Sequence, residues 1–183
     1  MRPPRAPFAL VALLGAASLA ACGAPTHELV TPGETDFAFE VPAEFTALET
    51  EGAATTYGYP GSEDDEALNS PKLLTAGFNS GASESFQSLR MIATNNEFDP
   101  RDPDLENLPN DTLLAAYDEI TEADVWGVRL VLLVGSTGAV DFQALVDRRT
   151  DEVAISNISC NQACFLRDRD LIDDIQTSWS LEP

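Results

Sequence analysis

The sequence predicts an α+β domain, an antiparallel β-sheet with helices packed on it. Three observations predict it. Phe37, Phe39 and Val41 recur at period two, which makes 36–41 a half-buried strand. Residues 126–160 hold three apolar or alternating runs separated by short turn signals, the pattern of a meander. Apolar residues at helical spacing recur over 83–95, 111–122 and 168–178.

The elements follow in order. Pro42 stops the first strand, because it has no N–H for a ladder. A second strand is expected over 54–59, where Thr55, Thr56, Tyr57 and Tyr59 favour extended backbone, and Pro60-Gly61 then turns the chain. Residues 62–69 form an acidic loop, and a third strand covers 72–78. Ser83 suits the N-cap of a helix over 83–95, with Phe86, Leu89 and Ala93 on one face. A proline-punctuated loop fills 96–110. Leu113, Leu114, Tyr117 and Ile120 predict a second helix over 111–122.

Trp126 to Val134 is nearly all apolar and reads as a central strand. Gly135-Ser136-Thr137-Gly138 is a hairpin turn; it has neither the lysine nor the following helix of a phosphate loop. Strands over 139–148 and 153–160 complete the meander, and a helix over 168–178 places Leu171, Ile175 and Trp179 on one stripe. Trp126 and Trp179 read as core anchors.

An opening strand that ends in Val41-Pro42, a long meander, and a closing helix that runs into Ser178-Trp179 resemble the Mog1/PsbP-like fold over about 36–183. That resemblance implies a largely non-enzymatic accessory or binding protein, and no functional residue carries over from it.

The N-terminus reads as an address. Arg2 and Arg5 precede an uncharged run from Phe8 to Ala21, too short and alanine-rich for a spanning helix. It ends in Leu19-Ala20-Ala21-Cys22, which resembles the lipobox of bacterial lipoproteins. The resemblance implies cleavage after residue 21 and fatty acylation of Cys22. Residues 1–21 are then a signal peptide, 22–35 a flexible tether, and 36–183 a single monomeric domain. It implies a protein held on the extracytoplasmic side, at the outer membrane or cell surface.

The 183 residues carry 31 acidic and 10 basic side chains, a formal net charge of −21. Loss of residues 1–21 removes only Arg2 and Arg5, leaving −23. Such a charge repels phosphate backbones and anionic lipid, which excludes nucleic acid as a partner. It suits a basic envelope or secreted protein met by electrostatic steering. A 44% hydrophobic fraction supports a folded core.

Catalytic equipment is sparse. The one histidine, His27, lies in the expected tether, so no Ser-His-Asp triad can be assembled, and no carboxylate pair stands out for hydrolysis. The expectation is a protein that is not an enzyme and needs no cofactor. Two weaker sites remain. Asp99, Asp102, Asp104 and Glu106 gather four carboxylates in one loop, the ligand type of calcium or another divalent cation. Read as an EF-hand starting at Asp102, the loop fails, with Asn107 where glycine belongs and Leu113 where glutamate belongs. Glu63-Asp64-Asp65-Glu66 is a denser run and reads as a solvated face. Cys160 and Cys164 are the only thiols besides Cys22, and an exported location favours a disulfide between them. Closing five residues would contribute about 2 kcal/mol in the chain-entropy picture.

Overall fold

The computed structural model describes residues 26–79, 112–135 and 138–181. Ten strands and one helix are found among them. They are β1 (His27–Val30), β2 (Phe37–Pro42), β3 (Thr46–Glu51), β4 (Ala54–Gly58), β5 (Lys72–Asn79), β6 (Leu113–Glu122), β7 (Val125–Val134), β8 (Gly138–Asp147), β9 (Glu152–Cys160), α1 (Gln162–Thr177) and β10 (Ser180–Leu181). Seven strands form one sheet in the order β3-β4-β5-β9-β8-β7-β6, and β1-β2-β10 form a second, smaller one. All paired strands are antiparallel. The α+β class is what the structure shows.

The meander is the backbone of the large sheet. β7 pairs with both β6 and β8 over ten residues each, in unbroken register. Val125, Val131 and Leu133 point to one face, with Leu145 of β8, Ile158 of β9 and Leu73 of β5. The helix and the small sheet pack there. Phe37, Phe39 and Val41 of β2 join Phe165, Ile172 and Ile175 of α1 in this core, each at most 3% exposed. Trp179 closes it, its ring centroid 6.5 Å from that of Phe37. Val128, Ala144, Val146 and Val153 point to the opposite face, with Trp126 and Phe142 against them.

Gly77 shows how tightly the entry turn lies on β5. A Cβ there would sit 2.0 Å from the Pro32 carbonyl oxygen, so the backbones could not meet with any other residue.

Several elements differ from the sequence expectation. Residues 111–122, expected to be helical, contain strand β6 over 113–122. Ten-residue pairing with β7 outweighs the helical spacing of Leu113, Leu114, Tyr117 and Ile120. Residues 27–30, expected within the tether, pair with 39–42 as β1, so ordered structure starts before residue 36. β3 was not expected. It is almost wholly exposed, so it carries no apolar alternation to read. The closing helix begins at 162 rather than 168, because Asn161 caps it. Residues 83–95 and 96–110 lie outside the described residues.

Candidate functional site

Two clusters of chemistry-bearing side chains stand out. The first runs across the sheet beneath α1. The registers align Thr50, Thr55, Thr75, Ser156, Gln143, Arg129 and Asp118 in one row over all seven strands. Thr75, Ser156 and Gln143 are at most 1% exposed. Asp141 stands beside this row and is 1% exposed.

Arg129 holds the cluster together. Its Nε and Nη2 donate to Asp141 Oδ1 and Oδ2 at 2.9 and 2.7 Å, and its Nη1 donates to Asp173 Oδ1 of α1 at 2.7 Å. This two-pronged geometry is one that arginine provides and lysine does not. Burial works against the charge on Arg129, but its hydrogen bonds to the two carboxylates and their negative charge outweigh it and hold the guanidinium protonated. Burial raises the Asp141 carboxyl above its ordinary value, opposed by Arg129. Gln176 of α1 donates its amide to the Asp141 carbonyl at 2.7 Å and accepts from the Ser156 hydroxyl. The cluster therefore docks helix to sheet. Neither side-chain polar atom of Gln143 has a partner.

The second cluster surrounds the N-terminus of α1. Asn161 is extended, and its side chain accepts from the Cys164 N–H at 2.9 Å, the N-cap arrangement. Asn161 also grips the acidic loop. Its backbone N–H donates to the Leu68 carbonyl at 2.8 Å, and its amide donates to the Ala67 carbonyl and to Asn69 Oδ1 at 2.9 and 3.1 Å. Arg167 adds a bond to the Asn69 carbonyl at 2.9 Å and pairs with Asp168 at 2.5 Å. Burial, followed by the nearby Asp168 charge, raises the Tyr59 hydroxyl above its ordinary value.

The loop itself, 62–69, is organised by its own groups. Asp65 accepts from the backbone and side chain of Asn69 at 2.7 and 3.0 Å. Lys72 Nζ donates to the carbonyls of Glu63 and Asp65 at 3.2 and 3.3 Å. An ammonium thus occupies the place where the backbone oxygens converge. Glu63, Asp64 and Glu66 are exposed.

Cys160 ends β9 and Cys164 lies in the first turn of α1. Both are buried free thiols, each 1% exposed. The Cys164 thiol donates to Asp168 Oδ2 at 3.7 Å. Contact with Cys164, reinforced by burial, raises the Cys160 thiol and keeps it protonated. His27 is on β1, exposed, with Nδ1 3.0 Å from the Thr26 hydroxyl. Cys22, Asp99, Asp102, Asp104 and Glu106 lie outside the described residues. Among the described residues, no group of three or more His, Cys, Asp or Glu side chains is placed to hold a metal ion.

Sequence reasoning found the cysteine pair and the acidic loop but missed the Arg129 cluster. The signal was present. Arg129 stands among Val125, Val131 and Leu133 on the core face of β7, and Asp141 and Gln143 stand between Ala139 and Leu145 on that of β8.

No family model and no curated protein matches the sequence. Solved structures do. The chain is similar to the cyanobacterial PsbP protein CyanoP of Synechocystis, with TM-score 0.51 and 11% identity over 90% of this chain and 97% of that one. It is similar to LpqN of Mycobacterium tuberculosis, a protein involved in cell envelope biogenesis, with TM-score 0.48 and 16% identity over 86% and 91%. It is similar also to Mog1p, a Ran-binding protein of Saccharomyces cerevisiae, with TM-score 0.46 and 8% identity over 85% and 95%. The likeness to CyanoP is one of fold, a PsbP-like α+β domain.

Proposed function

We propose that this chain is a lipid-anchored envelope lipoprotein whose domain is a non-catalytic binding or accessory module. It presents an acidic surface to a basic envelope or secreted protein. One observation carries the reading. Of the six basic side chains among the described residues, five are already engaged within the domain. Arg129, Arg149, Arg167 and Arg169 each pair with an aspartate, and Lys72 is taken by carbonyls. The surplus charge of the chain is therefore left on outward-facing carboxylates such as Glu34, Glu49, Glu51, Glu63, Asp64 and Glu66. A field of one sign attracts an oppositely charged partner and is screened by salt within about 10 Å at 0.1 M. Cys22 supplies the anchor, and the acyl chains on it provide the several hydrophobic attachments that stable membrane binding requires.

The test pairs two measurements on the full chain. Labelled palmitate should enter the wild type and not Cys22→Ser. Affinity for a basic probe peptide should fall at least about tenfold between 50 and 500 mM salt, the mark of electrostatic steering. Binding indifferent to salt would end the electrostatic reading. A melting point raised by calcium and not by magnesium, and lost in Asp102→Ala, would replace it with cation binding at Asp99, Asp102, Asp104 and Glu106.

A further inference from the structure

We infer that the open edge of β1 seats an extended basic segment of the partner, which adds to the small sheet as a further strand. Among the described residues, β3, β6, β1 and β10 end the two sheets, and they are not equally open. β10 has two residues. β3 has a register shift between Ala47 and Glu49, and such a bulge spoils an edge for pairing. β6 carries Ala115, which is fully buried. β1 is exposed at His27, Glu28 and Leu29. Its sequence, His-Glu-Leu-Val, holds neither the lysine nor the proline that commonly guards an edge.

The ladder shows which backbone groups are left over. The Ala43 N–H donates to the Thr26 carbonyl at 3.1 Å, so Thr26 and Ala43 are a hydrogen-bonded pair. The register continues as His27 with Pro42, Glu28 with Val41 and Leu29 with Glu40. Bonded pairs alternate along an antiparallel ladder, which turns the backbone of Glu28 and Val30 to β2. The N–H and C=O groups of His27 and Leu29 point the other way, to the edge.

The side chains beside that edge specify the occupant. Leu29 is 55% exposed, the highest value among the large apolar side chains of the described residues. Its ladder partner Glu40 is exposed too. A cavity of about 290 Å³ is lined by Thr26, His27, Glu28, Leu29 and Glu40. A second, of about 230 Å³, shares His27 and Glu40 and reaches Leu171, Asp174 and Ile175 of α1. The last turn of α1 holds no basic residue, so the negative end of its dipole is uncompensated there. Lysine and arginine match this groove, with an aliphatic stem for Leu29 and a charge for Glu40 and Asp174. Strands lie about 4.8 Å apart, so Glu40 is about 10 Å from the incoming backbone, within reach of such a side chain laid over Leu29. Glu28 faces the other side of the ladder and meets the next basic residue of the segment.

The anchor sets where this happens. Thr26 is four residues past Cys22, at most about 14 Å of extended chain. The segment is therefore met close to the membrane. This inference names the seat of the partner in the acidic-surface reading and rests on that reading.

The probe is a synthetic peptide of lysine and valine, about six residues long, the usual length of a strand. Its control is the same peptide with every backbone nitrogen methylated, which keeps the charge and removes the donors. Both are titrated at low salt into the full chain carrying Cys22→Ser. The methylated peptide should bind at least about tenfold more weakly, the loss of two or three backbone hydrogen bonds. The unmethylated peptide should slow amide exchange at His27 and Leu29. Glu40→Gln with Asp174→Asn should weaken its binding several-fold more than Glu63→Gln with Glu66→Gln, and equal weakening would overturn the groove as the seat. Equal, salt-sensitive binding of the two peptides would overturn strand addition and keep the acidic surface. No binding of either peptide would overturn both. Slow exchange at His27 and Leu29 that grows with protein concentration, without peptide, would assign the edge to a second copy and overturn the proposal.

Discussion

The two faces of the large sheet bury themselves by opposite means. The face under α1 has an apolar core, but a polar row crosses it, and Arg129, Asp141, Asp173 and Gln176 lock the helix over that row. The opposite face uses Trp126, Val128, Leu130, Phe142 and Ala144, with no ion pair recorded among them. Apolar burial tolerates small shifts, because one methyl group packs nearly as well as the next. A bidentate pair does not. The row therefore fixes register as well as stability. If β8 slipped by one residue, Asp141 and Gln143 would turn to the apolar face.

The largest expected effect tests that difference. Asp141→Ala removes the main partner of a guanidinium that is 15% exposed. A buried charge left without its partner costs about 3–5 kcal/mol. Urea unfolding should show that loss, with a smaller one for Asp141→Asn, which keeps an acceptor. A loss under 1 kcal/mol (roughly a fivefold change in the folding constant) would mean the Arg129 pair is no anchor.

On the other face, Leu130 is 2% exposed and packs among Tyr117, Leu132 and Phe142. Leu130→Ala should cost about 3 kcal/mol, the transfer term plus a cavity. Restoring volume with Leu130→Met should recover most of it. The sharper comparison is with Asp141, where no apolar replacement restores stability unless Arg129 is replaced too.

How legible this was depended on the face. β2 was readable because its core positions are apolar at period two, and β7 because its run is nearly all apolar. β6 was disguised by the polar row itself. Leu114, Ala116 and Ile120 alternate toward the core, but Asp118 stands between them because it ends the row beside Arg129. With that position polar, the helical spacing of Leu113, Leu114, Tyr117 and Ile120 looked better than the strand. The same polar insertions in β7 and β8 were hidden by stronger apolar neighbours. Nothing local tells a reader that Arg129 meets a residue 44 positions away on α1. The acidic loop and the cysteine pair were visible as residues. Their junction was not, because Asn161 is a cap only once the helix starts at 162.

Gln143 gives a prediction of the opposite sign. It is fully buried, and both its amide atoms lack partners. Gln143→Met keeps the shape and removes two unmet polar atoms, so it should stabilise the domain by about 1 kcal/mol. A loss of stability would show that the amide is bound through an internal water, and the polar row would then be complete across the sheet.

The smallest effect is a titration at the end of β8. Arg149 donates to Asp147 from Nε, Nη2 and its backbone N–H, and these bonds lower the carboxyl below its ordinary value. A carboxyl lowered in the folded state contributes stability that is fully present above its unfolded value, about 3.9. That contribution is lost as the pH falls through the lowered value. Asp141 has the opposite sign, because a raised carboxyl favours the folded state under acid. Asp147→Asn should therefore flatten the acid limb of the stability curve below about pH 4, and leave its shape unchanged near neutrality. Arg149 is 55% exposed, so solvent and salt screen the pair, and 0.5 M salt should shrink the difference between variant and wild type. If the acid limb of Asp147→Asn matched the wild type at low salt, the pair at the strand end would carry no stability. Among the ion pairs of the described strands, the energetic role would then fall to helix docking through Arg129.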